Sequence, residues 1–319
     1  MEVPIYIING FLESGKTSFI KDTLSDPEFS NEGTTLIVCC EQGVEEYSDD
    51  ELKKLKANVE YVDDIKELNA KFFFDNIRKY KSKRIMIEFN GMWKMSDLLA
   101  VDLNEDLPVV QIISIIDAST YKNYISNMKA IMLDLVKQSD TVIFNRCDDS
   151  TDTIWYRRTI KPVNRKAQIV YERSDGAEMN AGEDIMPFDI KAPVIEILDE
   201  DYGLWYLDAM DNPQKYDGKK VTFLAQVYKS PKLPANSIVP GRFAMTCCAA
   251  DITFVGFLCK VTSECAPLKY DNLVQKQFIK ITADIKIEYY KEYKGKGPVL
   301  YATEIEDAKA PEDTLVYYS

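Results

Sequence analysis

A glycine, four residues and then Gly-Lys-Thr (Gly10 to Thr17) stand between an apolar run at residues 3–8 and a stretch with helical spacing of apolar residues at 18–24. This pattern constrains the chain more than any other feature. A buried strand that turns through glycines into a helix leaves successive backbone N–H groups facing inward, where they cradle a polyphosphate. The helix adds the positive end of its dipole. Lys16 is expected to reach the β- and γ-phosphates and the Thr17 hydroxyl to take Mg²⁺. Gly10, Glu13, Ser14, Gly15 and Ser18 complete the expected phosphate site.

The rest of the first half fits a doubly covered parallel sheet. Strand-like runs at 35–40, 59–62, 84–88, 109–116, 141–144 and 168–171 alternate with helical stretches at 49–56, 70–81, 95–101, 121–137 and 153–161. Alternation of this kind predicts an α/β P-loop domain, with helices on both faces of a mostly parallel sheet. From residue 194 the texture changes. A helix is expected at 202–211. Strand-like segments follow at 221–228, 242–248, 253–261, 277–289 and 298–304, divided by Gly, Pro and Asp turns. Five or so strands in so short a span predict a small OB-like β-barrel. The expected domains are therefore 1–193 and 194–319.

Composition narrows the function. A net charge of −13 argues against a nucleic-acid backbone as the main partner, which would require a basic face. No apolar stretch reaches the ~20 residues of a membrane-spanning helix, so no direct membrane insertion is expected. No signal-peptide pattern opens the chain, and a cytoplasmic location is expected. The seven cysteines, an odd number, suggest reduced thiols rather than a disulfide framework. Histidine is absent, which removes imidazole as general base or metal ligand.

Two further segments speak to the nucleotide. Residues 142–148 form a strand ending in Asn145-Arg146-Cys147-Asp148. An aspartate at that place accepts from both the ring N–H and the exocyclic amine of guanine, and adenine cannot supply the pair. Arg146 can lay its stem and planar head along the base. Residues 84–91 form an apolar strand ending in Glu88, with Gly91 three residues on. The carboxylate is a candidate for the Mg²⁺ shell or for orienting water, and the Gly91 N–H for meeting the γ-phosphate. Glu41, after the second strand, is a second candidate of the same kind where a switch loop should begin. Lys16, Glu41 and Glu88 are thus the catalytic candidates.

These stretches together resemble the CobW-type GTPases of the SIMIBI P-loop class. The resemblance covers residues 1–190 and rests on GFLESGKT, IVCCEQG, MIEFNG, SIIDAS, IFNRCD and VNRKAQI. It implies GTP and GDP as ligands, Mg²⁺-dependent slow hydrolysis, and a role in metal homeostasis or metal delivery. It also makes Asp117 a strand-end residue of the sheet. The C-x-C-C motif of the family and its histidine-rich tract are absent. Residues 195–319, with TCCAAD at 246–251, resemble an uncharacterised bacterial domain usually found in proteins paired with a predicted permease.

The thiols set a further expectation. With no imidazole, a Zn²⁺ or Co²⁺ site must draw on cysteine with carboxylate oxygens. Cys247, Cys248 and Asp251, with Cys259 or Cys265, carry suitable donors. Consecutive strand residues point to opposite faces, however, so Cys247 and Cys248 converge only at a bulge. Any nucleotide-coupled metal is expected at Cys39 and Cys40, beside Glu41. The rival reading is a nucleotide-gated adaptor that docks a permease or another protein, with negligible hydrolysis and no metal. A metal-receiving protein is the partner expected on the first reading.

Overall fold

The computed structural model describes residues 2–30, 33–103, 105–180, 182, 186–246 and 249–318. Two compact units divide the chain, Met1–Gly182 and Glu183–Ser319. The division falls ahead of the change in sequence texture near 194, because the segment before that change packs with the second core. Phe188 already belongs there.

The first unit holds strands β1 (Ile5–Asn9), β2 (Thr35–Cys39), β3 (Ala57–Tyr61), β4 (Arg84–Glu88), β5 (Val109–Asp117), β6 (Thr141–Cys147) and β7 (Gln168–Arg173). Its helices are α1 (Lys16–Ser25), α2 (Pro27–Ser30), α3 (Asp49–Lys54), α4 (Ala70–Tyr80), α5 (Met95–Leu99), α6 (Ala118–Lys137) and α7 (Thr153–Ile160). The strand order is β3-β2-β4-β1-β5-β6-β7. Every pairing is parallel. Strands buried on both faces read as near-continuous apolar runs, and β2 and β4 are buried at all five positions each. One face packs Ile5, Ile7, Leu36, Val38, Ile85 and Ile87 against Phe73 and Leu98. The other packs Ile8, Ile37 and Met86 against Ile20 and Leu24 of α1. β1 lies between β4 and β5, where the strand order reverses, and ligands of open α/β sheets bind outside the strand ends at such a point.

The second unit begins with β8 (Ile195–Ile197) and α8 (Tyr202–Asp211). β9 (Lys220–Tyr228), β10 (Ser237–Ala244), β11 (Thr253–Gly256), β12 (Cys259–Pro267), β13 (Phe278–Tyr290), β14 (Gly295–Asp307) and β15 (Leu315–Val316) follow. Pairings β9–β10, β10–β12, β12–β14, β14–β13 and β13–β9 close a five-stranded barrel. In it β12 and β14 run parallel while the other pairs are antiparallel, the order of an OB-like barrel. Trp205, Phe223, Ile281 and Leu300 fill it, all nearly free of solvent.

Two strands differ from expectation. The segment expected at 242–248 lies at 237–244, and the one expected at 253–261 is split between β11 and β12. Pro240 and Gly241 read as a turn in the sequence. In the barrel Gly241 faces Gly256 across the β10–β11 ladder, and a Cβ on Gly241 would meet Val255 O at 2.4 Å. The close crossing accepts both glycines as strand residues. Cys247 and Cys248 lie outside the described residues.

Candidate functional site

The loop from β1 into α1 has the backbone its glycines allow. Gly10 (φ 147) and Gly15 (φ 98) are in the region that L side chains rarely enter. Contact forbids a side chain there as well: a Cβ on Gly10 would meet Ile115 O at 2.2 Å, and one on Gly15 would meet Asn145 Nδ2 at 2.7 Å. Glu13 also takes positive φ (62), without glycine's freedom. The loop is therefore fixed by the strands behind it rather than by its own residues alone.

Lys16 is 3% exposed. Its ammonium donates to Gly10 O and Phe11 O, each at 2.9 Å, and to Glu41 Oε2 at 2.7 Å. Thr17 Oγ1 donates to Glu88 Oε1 at 2.7 Å. The other Glu88 oxygen accepts from Tyr47 OH at 2.6 Å and lies 3.9 Å from Cys39 Sγ. Burial pushes the Glu88 carboxyl above its ordinary range, while the Thr17 and Tyr47 hydroxyls and the Lys16 charge pull it partly back. The two carboxylates therefore stand in different places. Glu88 faces Thr17, and Glu41 faces Lys16.

A hydroxyl and a buried carboxylate side by side at the loop mouth are hard oxygen donors, and they suit Mg²⁺. The thiols do not fit a transition metal in the same way. Cys39 lies in the core cluster on one face of the sheet and Cys40 in the cluster on the other, because they are successive residues at a strand end. The two thiols are therefore packed into separate clusters. Burial, then the Glu88 charge, pushes the Cys39 thiol up to about 12, and burial likewise raises Cys40. Among the described residues no group of three or more Cys, Asp and Glu is placed to hold a metal ion.

The strand ends β5 and β6 close the cleft from the other side. Asn145 Nδ2 donates to Ser14 O at 2.7 Å. Arg146, itself at φ 55, donates to Glu13 O at 3.0 Å and pairs with Asp117 Oδ2 at 2.5 Å. Asp117 also caps α6 by accepting from Ser119 N at 2.8 Å. Burial works against the Asp117 charge, but the Ser119 and Arg146 donors outweigh it and hold its carboxyl below the usual range. Asp148 is exposed and accepts from Ser150 N (2.8 Å) and Ser150 Oγ (2.7 Å) through one oxygen. The Ser150 donors hold its carboxyl low, so it is a carboxylate at neutral pH.

Beside this segment opens a cavity of about 370 Å³, lined by Gly15, Phe19, Asp22, Asn145, Arg146 and residues 172–176 at the end of β7 and the turn after it. Asp148 is not part of its wall. A smaller cleft of about 40 Å³ lies over Lys16, Thr17, Glu41, Glu45 and Glu88. Gly91 sits against the loop, where its Cβ would meet Gly10 O at 2.4 Å. Thus Glu13, Gly15, Lys16, Thr17, Ser18, Glu41, Glu88 and Arg146 line the smaller cleft, Gly15, Ser18, Asn145 and Arg146 line the larger cavity, and Asp148 lines neither.

Three contributions had not been expected from the sequence. Tyr47 and Glu45 enter from the loop after β2, and residues 172–176 from the end of β7 and the turn after it. The Asp175-Gly176 pair is a turn signal that marks the last of these. Nothing local marks Tyr47, whose partner Glu88 is 41 residues away.

Comparison with known proteins agrees with this architecture. The model of the CobW/HypB/UreG nucleotide-binding domain matches residues 4–171, more than half of the chain. The DUF1980 C-terminal domain matches residues 173–318. UPF0703 protein YcgQ of Bacillus subtilis (strain 168) is 24% identical over 123 residues, which span 39% of this chain and 41% of that protein. The chain therefore spans about two-fifths of the length of the curated relative it matches. Among solved structures, hydrogenase maturation factor HypB from Archaeoglobus fulgidus is 14% identical, with 56% of this chain and 84% of that chain covered, at a TM-score of 0.37. A Zn(II)-bound triple mutant of the YjiA GTPase is 14% identical over 72% of this chain and 74% of its own, at 0.43. HypB from Helicobacter pylori in complex with nickel is 13% identical over 54% and 80%, at 0.36. No helix among the described residues is long and apolar enough to cross a membrane. With a P-loop at the switch point of a parallel sheet and a family match over most of that unit, the chain belongs to the CobW/HypB/UreG nucleotide-binding family.

Proposed function

We propose that the chain binds GTP with Mg²⁺ in this cleft and hydrolyses it slowly, in the service of metal homeostasis. The observation that carries the reading is the Asn145 bridge to Ser14 O at 2.7 Å. It ties the segment that reads a guanine to the loop that holds phosphates. Lys16 and the loop amides would bind the β- and γ-phosphates, and Thr17 and Glu88 would hold Mg²⁺. The ion neutralises phosphate charge as it develops. Asp148 would accept from the guanine edge, while Arg146, fixed by Asp117 and Glu13 O, supports the base. Gly91 N–H would meet the γ-phosphate.

Slow turnover follows from the buried carboxylate. Glu88, engaged by Thr17 and Tyr47, is not poised to take a proton from water. A protein partner, either a metal-receiving protein or a permease, would then speed or read the cycle. The resemblance to CobW-type proteins is what supports the metal-related role.

Titration with GTP, GDP and ATP in Mg²⁺ tests the reading. The guanine nucleotides should bind more tightly, and Asp148→Asn should reduce that preference by about tenfold to a hundredfold, the worth of hydrogen bonds to a charged acceptor. Equal affinity for ATP and GTP would refute the guanine assignment. Binding without any turnover would favour the docking adaptor.

A further inference from the structure

A lysine ammonium has three N–H donors. Those of Lys16 meet three acceptors: Gly10 O, Phe11 O and Glu41 Oε2. A phosphate oxygen that binds Lys16 needs one of these directions. The two carbonyls belong to the loop itself, so the carboxylate is the group that must yield. It also carries the same charge as the phosphate. The pair is withdrawn from solvent, with the side chains 3% and 12% exposed, and is weakly screened by salt.

Glu41 does not move alone. The loop behind it is fastened to the same walls of the cleft. Val44 N donates to Glu13 Oε1 at 2.8 Å, and Ser18 Oγ donates to Glu45 Oε2 at 2.6 Å. Lys21 pairs with Glu45 Oε1 at 3.1 Å and donates to Glu46 O at 2.8 Å. Tyr47 closes the loop on Glu88. The cleft over Lys16 and Thr17 is narrow, about 40 Å³.

We infer that Glu41 is an internal competitor for the phosphate position on Lys16, so that phosphate occupancy expels its carboxylate and unfastens the loop at residues 41–47. The inference rests on the P-loop being the nucleotide site, and it adds how that site reports its occupancy. The loop is the element released, and its outer surface is what a partner would read. This role differs from that of a Mg²⁺ ligand in sign: removing a ligand weakens binding, whereas removing a competitor strengthens it.

Inorganic pyrophosphate in EDTA is the probe, because competition at Lys16 depends on phosphate charge and not on the base. Glu41→Gln keeps the side-chain shape and should bind pyrophosphate about tenfold more tightly than the native chain, equivalent to ~1.4 kcal/mol. Hydrogen exchange gives an independent reading on the unmutated protein. The Val44 amide should exchange faster when pyrophosphate is added, and in Glu41→Gln it should be fast from the start. Unchanged or weaker pyrophosphate binding in the variant would overturn the inference. So would a Val44 amide indifferent to pyrophosphate, or no uptake by either form. If competition holds but ATP and GTP bind equally, the guanine reading falls and this inference stands.

Discussion

Gly91→Ala offers a direct measure of how tightly the segment after β4 is fitted to the phosphate loop. A Cβ at this position would stand 2.4 Å from Gly10 O, 2.8 Å from Gly10 C and 3.0 Å from Phe11 Cα. A carbon–oxygen contact ordinarily begins near ~3.3 Å, so the overlap is about 0.9 Å. All three atoms are backbone, so no flexible side chain can swing aside, and either the loop or the Gly91 segment must move. Overfilling a packed site costs ~1–3 kcal/mol. In a unit of the size of Met1–Gly182 that corresponds to a melting temperature lower by about 2–12 °C. If nucleotide requires the original loop geometry, GDP affinity should fall by about fivefold to 150-fold. Calorimetry and GDP titration read the two effects separately. Gly295→Ala is the control, since its nearest neighbour would be Tyr293 O at 3.9 Å, an ordinary contact. A Gly91→Ala protein with unchanged melting and unchanged GDP affinity would refute the close fit between the two segments.

Two further outcomes are expected. Mg²⁺ needs the ionised form of Glu88, whose carboxyl burial raises, so Mg²⁺-dependent nucleotide affinity should fall on acidification at a pH above the ordinary carboxylate value of 4.5. Glu88→Gln should lack that limb, and its persistence in the variant would assign the limb elsewhere. The sign for stability is opposite: a group raised in the folded state favours folding fully below its unfolded value, and that contribution is lost as pH rises through the folded one. Residues 1–182 should fold alone and bind GTP, because the core clusters of the first unit and that of the second share no residue. Aggregation of that fragment, measured by light scattering, would show that its core needs the rest of the chain.

Much of the fold was legible locally. The strands of the first unit begin and end near the limits that apolar runs set, and for β2 and β4 the reason is that strands covered on both faces need continuous apolar residues. The barrel strands were less legible. Pro240 and Gly241 carry turn chemistry, and only the facing Gly256 makes them part of β10.

The sequence by itself determined the phosphate loop. Glycine at 10 and 15, and Lys16 with Thr17 at the head of a helix, can be read at their own positions, although the contacts that exclude a side chain at the two glycines come from Ile115 and Asn145. The tertiary structure alone decided the rest of the site. It divided the two candidate carboxylates, giving Glu41 to Lys16 and Glu88 to Thr17 and Tyr47. It sent Cys39 and Cys40 to opposite faces of the sheet. The physical reason is that a side chain's partner depends on where strands far apart in the chain end relative to one another. The sheet order fixes that, and no local pattern records it.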